Sequence, residues 1–152
     1  MVSSITQISA PGLSEEQLQW ERAWLQEFNT TSDSLDWLKW EKYWDNNAFL
    51  QFGNHRVEGK EDIAKYFHEQ LGVLEFMQHS ITRHSFDTPL GLIYQSADVI
   101  YKVKGDPQRR AIHTSGIGVI HKRVGSQVLT GLEIFIDKEA IAAIVQEVLT
   151  SK

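Results

Sequence analysis

Between Gly72 and Phe76 the apolar residues change from a spacing of about four to a spacing of two, and that change confines the chain to one class of architecture. Downstream lie four long β-type runs, residues 76–86, 92–103, 111–123 and 128–136. They are separated by Thr88-Pro89-Leu90-Gly91, Gly105-Asp106-Pro107 and Gly125-Ser126, which carry hairpin chemistry. Upstream the period is helical. Ser14 and Gln17 form a capping box before Trp20, Trp24 and Phe28; Trp37, Trp40 and Trp44 share a second face; Ile63, Phe67 and Leu71 share a third. Helices followed by a long antiparallel meander predict an α+β fold, with a curved sheet curling into a conical barrel that the N-terminal helices close.

Within this frame, residues 36–67 carry the most detail. The Trp-rich helix is expected to stop at Asp45-Asn46-Asn47, whose short side chains compete for backbone hydrogen bonds. A small hairpin at 48–58 turns at Gly53-Asn54, and the next helix ends on Gly72 as a left-handed cap. A last helix opens at Asp137 with Ile141, Ile144, Val145 and Val148 facing inward. The reading is one domain over 1–152, with 1–12 a loose N-terminal arm closed by Pro11-Gly12.

Composition removes several functions. A net charge of −5 with scattered Lys and Arg argues against nucleic acid as a partner. The absence of cysteine removes disulfides, thiolate metal sites and a cysteine nucleophile. Neither a signal peptide nor a membrane-spanning run is visible, so a cytoplasmic protein with no membrane partner is expected. No histidine pair has ligand spacing, since His79 and His84 have opposite parity on one strand; no metal is expected.

Three segments carry a resemblance. Trp40-Glu41-Lys42-Tyr43-Trp44-Asp45-Asn46-Asn47-Ala48-Phe49-Leu50, Val57-Glu58-Gly59-Lys60-Glu61-Asp62-Ile63 and Thr130-Gly131-Leu132-Glu133-Ile134-Phe135 resemble the nuclear-transport-factor-2-like (NTF2-like) superfamily. Within it the chain looks most like the SnoaL-like polyketide cyclases and isomerases of fungi, over roughly residues 15–148. The resemblance implies a conical α+β barrel, a deep apolar pocket, a homodimer, and work on a hydrophobic small-molecule substrate without metal or organic cofactor. The fold also hosts binding modules without activity. A weaker likeness is to the scytalone dehydratases: Asp33-Ser34-Leu35-Asp36-Trp37 and Gln78-His79 match their segments. Their second pocket histidine falls near Tyr101 and their two tyrosines near Ser32 and Phe52, so that constellation is incomplete. The ketosteroid-isomerase base falls near Gln51 or Phe52 and is absent. Epoxide opening needs an Asp–Arg–Asp set, and Arg83 has no such pair.

What remains is acid–base chemistry in an apolar pocket. Glu133 is the first candidate, sharing a face with Leu129, Gly131 and Phe135; in the opposite parity Leu132, Ile134 and Ile136 face the core and Glu133 faces solvent. With Glu133 inward, those three residues, Ile112 and Ile120 make an outer apolar patch for a homodimer. His79 and His113 are the candidate partners of Glu133, and Tyr101 a donor to an oxyanion. Trp40, Trp44, Phe52 and Phe135 are candidates for lining the pocket. Asp33 is either a pocket acid or the cap of the second helix, and His121-Lys122-Arg123 reads as a solvated strand end.

Overall fold

The computed structural model describes residues 6–151 and places the change of period where the sequence puts it. The elements are β1 (Gln7–Ser9), α1 (Glu15–Asp33), α2 (Trp37–Trp40), β2 (Trp44–Phe52), β3 (His55–Glu58), α3 (Lys60–Leu71), β4 (Leu74–Asp87), β5 (Leu92–Val103), β6 (Ile112–His121), β7 (Leu129–Ile136) and α4 (Glu139–Thr150). The strands form one sheet in the order β1-β4-β5-β6-β7-β2-β3. β4 to β7 are the expected antiparallel meander, while β1 joins β4 and β2 joins β7 in parallel. The sheet curves without closing, and β1 and β3 remain its edges.

Several local expectations are corrected. Part of the N-terminal arm is a strand, Gln7–Ser9, registered on Arg83–Ser85; residues 1–5 of that arm lie outside the described residues. The Trp-rich helix is a single turn, continued by a 3₁₀ turn at Glu41–Tyr43, and the chain is already extended at Trp44. The turn chemistry of Asp45 is present, its Oδ2 accepting from the Asn47 N–H at 2.9 Å, but it makes an irregularity inside β2 rather than an end. Extended backbone at Trp44 sets its ring edge-on to Trp40 with centroids 5.1 Å apart. Gly72 closes α3 in a right-handed conformation, φ −63°, with its N–H donating to the His68 carbonyl. Asp36, not Asp33, caps α2 by accepting from the Leu38 N–H.

The core under the helices is aromatic. Trp24 stacks on Phe28 at 5.0 Å, and Phe28, Trp37, Trp40 and Phe67 close a ring network with Trp44 beneath it. A second apolar cluster joins Leu74, Met77, Val99 and Val103 to Ile144 and Val148 of α4. Arg110 bridges Asp106 and Glu147 of α4, and holds the Asp106 carboxyl down at about 2. Among the described residues no helix is long and apolar enough to cross a membrane.

Lys122 contradicts the solvated reading. Its side chain is fully buried, and Nζ donates to both oxygens of buried Glu21 at 2.5 and 3.0 Å between the rings of Trp20 and Trp24. Burial pulls its ammonium below the usual lysine range while the Glu21 carboxylate opposes that shift. A buried ion pair is worth little against an apolar replacement, yet losing one partner strands the other charge. Glu21→Gln is therefore expected to cost about 3–5 kcal/mol in urea denaturation. The double variant Glu21→Leu with Lys122→Met should return to within about 1–2 kcal/mol of the native chain, or exceed it.

Candidate acid–base site

The site begins with a gap in side-chain volume. On the concave face of the sheet, Ala97 of β5 lies beside Gly116 of β6, and Gln95 lies beside Gly118. Three small residues where neighbouring strands carry Leu and Ile leave the helices nothing to touch. An apolar cavity of about 120 Å³ results, roofed by Phe28 and Trp40 and walled by Leu132, Ile134 and Val99. Tyr66 and Gln70 of α3 also line it.

His79 is the basic group of this cavity, and Asp33 at the end of α1 fixes it twice. Asp33 Oδ2 accepts the His79 backbone N–H at 2.9 Å, and Oδ1 lies 2.5 Å from Nδ1. A carboxylate accepts, so Nδ1 carries the hydrogen, and in the neutral ring the lone pair is on Nε2. The same pair borders a more polar cleft of about 480 Å³, to which Arg22 and His84 also contribute. Tyr101 is a diagonal neighbour of His79, since Tyr101 pairs with Met77 and Val99 with His79, and it lines the cavity. Burial first, and the charge of Asp33 second, push its phenol up to about 12, so it remains a hydrogen-bond donor at neutral pH.

A second polar cluster went unread in the sequence. Asn29 donates to the Leu25 carbonyl at 2.9 Å, which fixes its amide orientation. It also donates to Gln95 Oε1 and accepts from Gln95 Nε2, so Gln95 is oriented in turn. His84 Nε2 lies 2.8 Å from the same Oε1 and must carry the hydrogen. Burial holds that imidazole below its usual pKa, keeping it neutral. Ser32 is buried on the cavity wall beside Asn29.

The structure brings His79, Tyr101, Trp40 and Phe52 to the cavity and Asp33 against His79. It takes the others away. Glu133 faces the outer side, where His121 Nε2 meets its Oε2 at 2.7 Å; Leu132, Ile134 and Ile136 hold the inward parity. The reason lies next door: a β-carbon at Gly131 would run into the Phe49 ring, so the outward row is Gly131, Glu133 and Phe135. His113 and Phe135 lie exposed on that outer face, and Trp44 is packed in the core away from the cavity wall. Ile112 and Ile120 are buried on the inner side, so the outer apolar patch is not the one the sequence suggested. Among the described residues no three metal-binding side chains converge.

No protein-family model matches this sequence, and no curated protein matches it. Solved structures do. A protein assigned as a SnoaL-like polyketide cyclase from Shewanella denitrificans OS-217 superposes with a TM-score of 0.68 at 12% identity, covering 84% of this chain and 98% of that one. PrhC from Penicillium brasilianum NBRC 6234 gives 0.66 at 13%, over 89% of this chain and 87% of its own. An NTF2-like protein of unknown function from Exiguobacterium sp. 255-15 gives 0.62 at 8%, over 75% and 98%. The chain is similar to these in fold.

Filling the gap tests the cavity without disturbing the dyad. A β-carbon at Gly118 would meet the Glu133 carbonyl oxygen and Leu132 Cδ1, each at 3.8 Å, both ordinary contacts, and valine suits a strand. Gly118→Val is expected to fold with an unchanged thermal midpoint within a few degrees and to abolish binding of 1-indanone, followed by intrinsic tryptophan fluorescence.

Proposed function

We propose that this NTF2-like chain is an enzyme of small-molecule biosynthesis that moves protons on a hydrophobic carbonyl compound, by isomerisation or aldol-type cyclisation. The observation that carries the reading is the Asp33–His79 pair on the wall of an apolar cavity. A base there is useful because the carboxylate fixes the tautomer and stabilises the imidazolium that forms. His79 Nε2 takes a proton from carbon next to the carbonyl, and the electron pair moves to the carbonyl oxygen. Tyr101 donates to that oxyanion. In isomerisation the imidazolium returns the proton at another carbon; in cyclisation the enolate attacks a second carbonyl and the imidazolium protonates the resulting alkoxide. The likeness in fold to SnoaL-like cyclases supports the class of substrate and leaves the individual reaction to experiment.

Deuterium uptake at the α-carbon of 1-indanone in D2O, read by NMR, tests this. The native chain is expected to accelerate uptake and His79→Gln to lose about 10²–10⁴ of that acceleration. Asp33→Asn should fall in between, and Glu133→Gln should match the native chain. Uptake undiminished in His79→Gln would remove the proposal.

We further propose that the partner on the outer sheet face is a second copy of the chain. Ile117 and Phe135 pair across β6 and β7 and are 49% and 50% exposed, with Tyr94 at 40% on β5. Apolar side chains grouped this way on a sheet face are usually covered. Sedimentation equilibrium at micromolar protein is expected to give twice the 17.4 kDa chain mass, and Phe135→Lys to give the monomer.

A further inference from the structure

Counting hydrogens in the cluster of Asn29, Gln95 and His84 leaves one over. The two amide hydrogens of Asn29 go to the Leu25 carbonyl and to Gln95 Oε1. Gln95 Oε1 accepts from Asn29 and from His84, which fills both lone pairs. Of the two hydrogens on Gln95 Nε2, one goes to Asn29 Oδ1, and the other has no acceptor among the described residues. Gln95 is 8% exposed and lines the apolar cavity. A buried donor left unspent costs free energy of the size of a lost hydrogen bond, so it is a place where a ligand gains.

We infer that Gln95 Nε2 is a positioning donor for an uncharged acceptor oxygen, a carbonyl, on the ligand of the acid–base cavity. The inference rests on the function proposed above and adds a second anchoring point to it. Charge argues for a neutral oxygen: the lining carries no Lys or Arg to hold a carboxylate. Spacing says where that oxygen lies. Gln95 is clamped by Asn29 and His79 by Asp33, and these two helix residues are one turn apart on α1. The two helix clamps are thus roughly 6 Å apart along the helix axis, so the free donor and the free base are separate anchoring points. The ligand that fits has one carbonyl at the reacting carbon near His79 and Tyr101 and a second, separate oxygen at Gln95. A small polycarbonyl compound has this pattern; a hydrocarbon, a simple terpene or a carboxylic acid does not.

The test compares 1-indanone with indane, equal in outline and different by one carbonyl, together with carbonyl-13C-labelled 1-indanone for infrared spectroscopy. The native chain should bind the ketone roughly fivefold more tightly than the hydrocarbon, as one net hydrogen bond allows. The bound carbonyl stretch should move to lower frequency. A monoketone can meet either donor, so Gln95→Met, close in shape, should weaken the preference and remove one shifted population, leaving that of Tyr101, whereas Tyr101→Phe should keep the population bonded to Gln95. Should Gln95→Met fail to fold, the native comparison with Tyr101→Phe still decides. Equal affinity for the two probes overturns the inference while leaving the cavity and His79 in place. Loss of the shift in Tyr101→Phe overturns it as well, assigning the contact to the phenol. Binding of neither probe at millimolar concentration overturns it together with the proposed function.

Discussion

One extra residue in β4 decides which face of the sheet its two histidines occupy. The register with β5 slips between Ile81 and Arg83, so that Ile81 faces Ala97, Arg83 faces Ser96, and Thr82 is the residue left over. Alternation alone would put His79 and His84, five apart, on opposite faces. The bulge restores the parity: His79 pairs with Val99 and His84 with Gln95, both on the inward row. Thr82 stays tied to the sheet by donating to the Ser96 carbonyl at 3.1 Å. Without that insertion, one of the two imidazoles would point at solvent, and either Asp33 of α1 would lose its partner His79 or Gln95 would lose its partner His84.

Those partners matter because α1 lies on the sheet through a polar row as well as an apolar one. Glu21, Asn29 and Asp33 are spaced by multiples of four, so they share a stripe on the helix. Each is bound to a different part of the sheet: Glu21 to Lys122 beyond β6, Asn29 to Gln95 on β5, Asp33 to His79 on β4. None of the three contacts is an efficient source of stability, since burying polar groups offsets most of the gain. Their effect is geometric. Apolar packing of Trp24, Leu25 and Phe28 would tolerate small slides of the helix, whereas three polar pairs at 2.5–3.0 Å fix it in one register.

The coarse fold was legible because it follows from periods. The helical spacing of Trp24 and Phe28 and the alternation after Phe76 report which atoms must leave water, and they carry over to α1 and to β4–β7, while Trp20 in the same helical row stays 41% exposed. The strand parity of β7 was not legible, because Leu129 to Ile136 is apolar on both faces and the deciding contact, Phe49 over Gly131, is remote in sequence. That ambiguity is what separated Glu133 from the cavity. The bulge at Thr82 was hidden for a related reason: no glycine or proline marks it, and its pairing partners lie fourteen residues on. Gln95 and Asn29 carried a weak signal, an amide in the middle of an apolar strand and a second one in a helix row otherwise filled by Leu25 and Phe28. Lys122 carried none, since a lysine flanked by His121 and Arg123 looks like every solvated strand end.

The cavity and its polar groups follow from the same economy of side chains. Ala97, Gly116 and Gly118 give up packing contacts that a larger residue would make, a loss that the ring network of Phe28, Trp40 and Phe67 above them offsets. A space walled by apolar groups would stay dry and inert if nothing titrated at its edge. Here α1 supplies that edge, because its last turn brings Asp33 to β4 just where the bulge has turned His79 inward. Low dielectric on one side of the imidazole and a fixed carboxylate on the other make its two nitrogens unequal, one spent and one free. The nitrogen left unbound is therefore selected by backbone geometry: the helix end holds Nδ1, and Nε2 has no partner among the described residues.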